Sequence, residues 1–97
     1  MGSVDIHDVY KQIIEISEQL DAQKVVLFGS RARGTNGARS DIDLAVYGCA
    51  SFDKLYDALQ EDLWSLLTLD IIDMRKDVAE TLKEEIARDG VILYEKI

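Results

Sequence analysis

Residues 24–46, KVVLFGSRARGTNGARSDIDLAV, contain two predicted strands separated by a turn and a polar loop. The first part, 25–28, is short, apolar and followed by glycine, which predicts a buried strand. We expect a first helical turn at 31–33 and a loop at 34–40, where glycine, asparagine, threonine and serine are frequent. A second strand is predicted at 41–46, where carboxylates alternate with apolar residues.

Asp41 and Asp43 carry the clearest chemical signal in this segment. Residues two apart in a strand point to the same face, about 6.6 Å apart along the strand, so these carboxylates are expected side by side. Two like charges repel there unless a cation lies between them. Carboxylate oxygens suit a hard ion such as Mg²⁺, which typically takes one or two protein carboxylates together with phosphate oxygens.

The turn before the loop provides a candidate phosphate site. Gly29 allows close approach of the backbone, and Ser30 offers a hydroxyl and an N–H group at a helix start, where anions are favoured. Arg33 lies three residues after Ser30, so a helix places both on one face. Arg31 points about 200° away from Arg33 and is ranked second. A Gly-Ser turn and a D-x-D strand are each common alone, but at this spacing they predict a site for a metal-bridged nucleoside triphosphate.

This arrangement resembles a known family. Gly29-Ser30, ten further residues and then Asp41-Ile42-Asp43 is similar to the signature of the minimal nucleotidyltransferases in the DNA polymerase β-like superfamily. The longer form, GSRARG followed by SDIDLAV, resembles the MNT antitoxins of HEPN/MNT toxin–antitoxin pairs. The resemblance extends over almost the whole chain.

A third strand is predicted at 68–74, TLDIIDM, and it carries two acids of opposite parity. Only one of Asp70 and Asp73 can share the face of the first two carboxylates, and the period of two does not choose between them without the register. The resemblance implies Asp70 as the third carboxylate. Asp73 is then expected on the opposite face or at the strand end, solvated or acting as a cap.

Helices are predicted around these strands. An amphipathic helix is expected at 4–20, a second at 52–67, and a third that Asp77 caps and that continues to about Arg88. A short last strand follows at 91–94. Alternating helices and strands indicate an α/β or α+β two-layer domain. The resemblance implies a small mixed sheet with helices packed on one face, the palm fold of nucleotidyltransferases.

The family resemblance also implies a reaction. Asp41, Asp43 and Asp70 would be both the catalytic residues and the ligands of one or two Mg²⁺ ions. Gly29, Ser30 and Arg33 would bind the nucleotide. The expected product is a nucleoside monophosphate, with AMP from ATP favoured, on an acceptor hydroxyl, and the family points to a tyrosine of a partner HEPN toxin. Whether Arg31 or Arg39 contributes is left open.

Composition sets the remaining expectations. Ninety-seven residues predict a single domain, 1–97, and the net charge of −8 argues against avid non-specific nucleic-acid binding. No apolar stretch is long enough to span a membrane, and the single cysteine, Cys49, excludes an internal disulfide. We therefore expect a cytoplasmic protein, alone or in a homo- or hetero-oligomer.

Two alternatives remain at this stage. The first is a weak or inactive antitoxin that acts by binding its toxin, although all three expected carboxylates are present. The second is a nucleotidyltransferase that acts on a small molecule, although such enzymes usually have a further domain that forms the acceptor pocket. A nucleic-acid polymerase is disfavoured by the acidic charge.

Overall fold

A computed structural model of the protein describes residues 5–37, 40–61 and 68–97. Helices and strands alternate along these residues. The helices are α1 (Ile6–Gln19), α2 (Ser30–Arg33), α3 (Phe52–Glu61) and α4 (Glu80–Asp89). The strands are β1 (Lys24–Phe28), β2 (Ile42–Tyr47), β3 (Leu69–Asp73) and β4 (Val91–Glu95).

The four strands form one mixed sheet in the order β3-β2-β1-β4. Strand β1 is antiparallel to both β2 and β4, whereas β2 and β3 are parallel. A parallel pair needs a crossover connection, and α3 lies in that connection here. The predicted fold class, a small mixed sheet combined with helices, is confirmed.

The two faces of the sheet are covered differently. Alternate residues of a strand point to opposite faces, so the central strands contribute to two separate clusters. The larger cluster joins one face to α1 and α3 and includes Val9, Ile13, Leu27, Leu44, Leu55 and Leu59. The smaller cluster joins the other face to α4 and consists of Val26, Phe28, Ala45 and Ile86. Helices α1 and α3 thus share a face as predicted, but α4 is an exception, because Ile86 packs its helix against the opposite face.

The helix ends differ in part from the sequence-based expectation. Helix α1 begins after Asp5, whose side chain accepts a hydrogen bond from the amide of His7. The expected cap of α4, Asp77, is not its cap, because the helix begins later and Ala79 stands at the N-cap position. The predicted helix at 52–67 is confirmed as far as Glu61, and 62–67 lie outside the described residues.

Candidate active site

Strand β2 contains one of the two neighbouring predicted carboxylates, and the other lies just before the strand. Ile42 and Leu44 are fully buried on the face covered by α1 and α3. Asp43 lies between them in the chain, so it points to the α4 face, where it is half-buried. Asp41 precedes the first strand residue and is exposed. The apolar alternation of β2 therefore decides which face carries the acid.

Asp70 lies beside Asp43 because β2 and β3 run in parallel register. Ile42 is paired with Leu69 and Asp43 with Asp70. Paired residues of neighbouring strands are about 4.8 Å apart and share a face, so both carboxylates lie on the α4 side. Asp70 is exposed. The parallel register thus brings two of the three predicted acids, Asp43 and Asp70, next to each other.

Asp73, the other acid of β3, lies on the opposite face and is not solvated. It is 6% exposed. Its Oδ1 accepts hydrogen bonds from the backbone amide of Arg75 at 3.0 Å and from Nε of Arg75 at 3.2 Å, and its Oδ2 accepts one from Nη2 at 3.1 Å. The hydrogen bonds from the Arg75 guanidinium are the main cause that lowers the pKa of Asp73. The Asp73 carboxylate thus accepts a hydrogen bond from the backbone of Arg75 and forms an ion pair with the side chain of the same residue.

Gly29 is packed directly against the Asp43 carboxylate. It ends β1 with φ 76° and ψ −158°, a conformation that is essentially restricted to glycine. A Cβ atom at this position would lie 2.1 Å from Oδ2 of Asp43, so no side chain larger than hydrogen fits without movement. Gly29 therefore brings the start of α2 and the acidic residue into contact.

The short helix α2 carries the residues that were predicted to bind phosphate. The carbonyl of Gly29 accepts hydrogen bonds from the amides of Ala32 and Arg33, and Ser30 is the first helical residue. The amides of Ala32 and Arg33 are therefore used within the turn, and only N–H groups that precede them at the helix start can donate to a ligand. Nε of Arg31 donates to the carbonyl of Ser40 at 3.0 Å, so this arginine supports the loop. Arg39 lies outside the described residues.

Arg33 is already bound to acidic residues that sequence reasoning did not identify. Its Nη1 lies 3.1 Å from Oε1 of Glu85 and 3.6 Å from Oδ2 of Asp89, both on α4. The partners are more than fifty residues away in the sequence, and no motif links them. Only the packing of α4 on the same sheet face as Asp43 brings them to α2.

The electrostatic surroundings of Asp43 are unfavourable for its charge. Burial raises the pKa of Asp43, and the negative charges of Asp70, Asp41 and Glu85 raise it further. Arg33 lowers this pKa only in part. Among the described residues, no cation forms a salt bridge with Asp41, Asp43 or Asp70. A cation supplied from outside the chain would therefore stabilise the ionised form of Asp43.

The carboxylates fit a magnesium ion that is shared with a phosphate ligand. In the described part of the chain, no three acidic, histidine or cysteine side chains are gathered closely enough to enclose an ion. Mg²⁺ does not need such a cage, because it is commonly bound by one or two carboxylates, phosphate oxygens and water. Asp43 and Asp70, in register on one face, would provide two such carboxylates next to the turn at Gly29.

Comparison with known proteins places this geometry in a family. The family model described as "Polymerase beta, Nucleotidyltransferase" matches residues 11–97, which include all of the candidate site residues. A search of curated protein sequences gave no significant match. In the described part of the chain, no helix has the length and apolar composition needed to cross a membrane.

Solved structures share the fold over most of the chain. One is a toxin–antitoxin crystal structure with AMP-PNP, 27% identical, with a TM-score of 0.69 over 90% of this chain and 73% of the other. A minimal nucleotidyltransferase is 27% identical, with a TM-score of 0.65 over 89% of this chain and 90% of the other. A third is a complex of a tri-AMPylated Shewanella oneidensis HEPN toxin with an MNT antitoxin. It is 23% identical, with a TM-score of 0.65 over 93% and 72% of the two chains, and indicates the fold alone.

Proposed function

Because this chain belongs to the polymerase β nucleotidyltransferase family, we propose that it transfers AMP from ATP to a tyrosine hydroxyl of a HEPN-type toxin. The transfer would silence the toxin, so the protein would act as an antitoxin. The reaction consumes ATP, and we assign it to the cytoplasm. The protein would form a hetero-oligomer with its acceptor, at least during transfer.

One observation carries this proposal. The Asp43 carboxylate lies against the backbone of Gly29 and beside Asp70, at the point where β1 turns into α2. The acidic pair would attract a metal ion and repel a phosphate, whereas the adjacent turn would favour the phosphate. Both ligands are accommodated when the metal ion and the phosphate bind together. A metal-bridged nucleoside triphosphate has that chemistry.

The residues of the candidate site would then have separate roles in the reaction. Asp41, Asp43 and Asp70 would hold Mg²⁺, which stabilises charge on the phosphate oxygens and lowers the pKa of an acceptor hydroxyl. Ser30 and the neighbouring amides would bind the β- and γ-phosphates. Arg33 would offset the charge of the departing pyrophosphate.

The bonds and protons balance without a further reactant. The tyrosine oxygen forms a bond to the α-phosphorus, and the bond between the α-phosphorus and the bridging oxygen breaks, so pyrophosphate leaves. Asp70 is exposed at the edge of the sheet and would accept the hydroxyl proton. Its exposure suits an acceptor that arrives on another protein.

The partner is supported by the similar structures. The toxin–antitoxin crystal structure with AMP-PNP is 27% identical to this chain and covers nine-tenths of it. A nucleotide analogue in such an assembly is consistent with nucleotide transfer between its components. We infer that the toxin provides the acceptor and part of the acceptor pocket.

The test uses ATP labelled at either the α- or the γ-phosphate. The protein is incubated with Mg²⁺, labelled ATP and a purified HEPN-type toxin. We expect the toxin to acquire label from α-labelled ATP only, and its intact mass to rise by one or more adenylyl groups. Label from γ-labelled ATP would instead mean phosphoryl transfer, and no label from either would contradict the proposal.

A second candidate function is silencing by binding alone. It is favoured by two observations: no three acids among the described residues form a closed cluster, and Arg33 is bound to Glu85 and Asp89 instead of standing free. A stable complex with a toxin of unchanged mass, after incubation with ATP and Mg²⁺, would support this alternative over transfer.

A further inference from the structure

Two carboxylates of α4 compete for Arg33, and they are not equivalent. Asp89 lies 3.6 Å from Nη1 of Arg33, but it is also bound by Arg88, whose Nη2 lies 2.9 Å from the same Oδ2. Glu85 lies closer to Arg33, at 3.1 Å. Among the described residues, Arg33 is the only cation that forms an ion pair with Glu85. Glu85 is therefore the acid that most depends on Arg33.

This ion pair lies at the edge of the candidate site. Ile86, the neighbour of Glu85, packs with Phe28, and Phe28 is paired in register with Asp43. The amide of Arg33 is bonded to the carbonyl of Gly29, the residue that contacts the Asp43 carboxylate. The Arg33–Glu85 pair thus spans from the anion-binding turn to α4, on the same sheet face as the acids.

We propose that Glu85 is a positioning residue that holds Arg33 beside the site and yields it to the phosphates of an incoming nucleoside triphosphate. This inference rests on the proposed nucleotide binding. A guanidinium binds carboxylate and phosphate oxygens with the same planar donors, so the exchange replaces one charge-assisted contact with another. The side chains of Arg33 and Glu85 are 38% and 33% exposed, so the pair is solvated and can separate at small cost.

The exchange has a consequence for affinity. Each binding event must first break the Arg33–Glu85 pair, so Glu85 lowers the affinity for nucleotide while it keeps Arg33 in place. The change Glu85→Gln should tighten the binding of AMP-PNP with Mg²⁺ by about two- to fivefold, the range that a solvated ion pair carries. In transfer assays it should lower KM for ATP more than it changes kcat.

The matched control is Glu84→Gln. Glu84 is exposed on the same helix and forms no ion pair among the described residues. The substitution Glu84→Gln removes the same charge as Glu85→Gln, so any general effect of a less acidic surface appears in both variants. We expect Glu84→Gln to change AMP-PNP affinity by less than the Glu85 variant does.

A double variant separates the exchange from simple repulsion between Glu85 and the triphosphate. If Glu85 acts through Arg33, the gain from Glu85→Gln should disappear in an Arg33→Gln background. An equal gain in both backgrounds, or no gain in either, would overturn the proposal. Isothermal titration calorimetry with AMP-PNP and Mg²⁺ measures four proteins, the wild type, Glu85→Gln, Arg33→Gln and the double variant. The Glu84→Gln control is measured beside them, and circular dichroism spectra confirm that each protein is folded.

The outcomes also distinguish this inference from the proposed function. If none of the four proteins binds AMP-PNP, the proposed nucleotide site and the role of Glu85 both fail. If the affinities follow the predicted pattern but no toxin is labelled, the role of Glu85 stands and the transfer reaction fails.

Discussion

Asp43 and Asp73 lie on neighbouring strands, and their surroundings have opposite effects on their charge. Asp73 is buried, and the hydrogen bonds from Arg75 lower its pKa. Asp43 is half-buried without a salt bridge among the described residues, and burial together with the charge of Asp70 raises its pKa. Arg75 is the partner of Asp73, whereas no described residue forms a salt bridge with Asp43. The first therefore contributes to stability, and we assign the second to binding.

Strand β3, which has five residues, contains one acid with a cationic partner and one without such a partner among the described residues. Asp70 and Asp73 are three apart, so they point to opposite faces. Asp70 is exposed and lies beside Asp43. Asp73 is buried on the sheet face that carries the larger cluster, and it is hydrogen-bonded to Arg75, two residues further along the chain. An acidic residue on a strand therefore does not indicate a functional site by itself. The groups that surround its carboxylate distinguish a structural role from a binding role.

The largest expected effect comes from Asp43→Asn. If Asp43 holds the metal, this isosteric change should reduce transfer to the toxin by at least about 100-fold, the scale of a single electrostatic element of an active site. Its melting temperature should stay equal or rise, because an uncompensated charge is removed. The control is Asp57→Asn, an exposed acid on α3, which should retain transfer. Full transfer by the Asp43 variant would end the assignment.

Gly29→Ala tests the contact between the turn and the acid. The backbone conformation alone should cost about 1–3 kcal/mol of unfolding free energy, and the clash with the Asp43 carboxylate should add to this. Gly34→Ala is the control for a positive φ without a clash, because Gly34 has φ 79° and no atom within 4 Å of the added Cβ; its ψ of 16° is less restrictive than that of Gly29, so the Gly29 variant should lose more. Chemical denaturation of both variants measures the difference. Equal losses would mean that the contact with Asp43 is unimportant.

Asp73→Asn should behave in the opposite way to Asp43→Asn. Loss of the charged hydrogen bonds to Arg75 should lower the free energy of unfolding by about 1–3 kcal/mol, with transfer by the folded protein retained. The pKa of Asp73 is lowered in the folded state, so its contribution is fully present above the unfolded value of about 3.9 and is lost as the pH falls through the folded pKa. Denaturation series should show the largest gap from wild type near neutral pH. A gap that widens in acid would contradict this account.

The smallest effect is expected from ligands on the intact protein. AMP-PNP with Mg²⁺ at ten times its Kd should stabilise the wild type by about 1.4 kcal/mol, and Mg²⁺ alone by less. Differential scanning fluorimetry should detect the shift and its loss on addition of EDTA. The Asp73→Asn protein should keep the shift and Asp43→Asn should lose it; a shift retained by both would place the ligand elsewhere.

Much of the fold could be predicted from local pattern. The apolar run at 25–28 and the alternation at 41–46 correspond to β1 and β2, because burial on one face imposes a period of two. The position of α4 could not be predicted, because an amphipathic helix shows that one of its faces is buried but not which side of the sheet covers it.

The site was only partly predictable for a related reason. Asp41 and Asp43 are two residues apart, so a strand at 41–46 predicts them on one face; in the structure the strand begins at Ile42 and holds only Asp43. Asp70 needed the parallel register of β2 and β3, which the residues left open and the family resemblance implied. Glu85 was missed entirely, because its approach to Arg33 depends on long-range packing.

The most direct measurement replaces Mg²⁺ with paramagnetic Mn²⁺, which prefers the same oxygen ligands. Titration into isotope-labelled protein should broaden the amide resonances of Gly29, Asp43 and Asp70 at the lowest concentrations, while those of Asp73 and Arg75 persist. Uniform broadening over the acidic surface, or first broadening at Asp73, would contradict the claim that the uncompensated acids are the ones that bind metal.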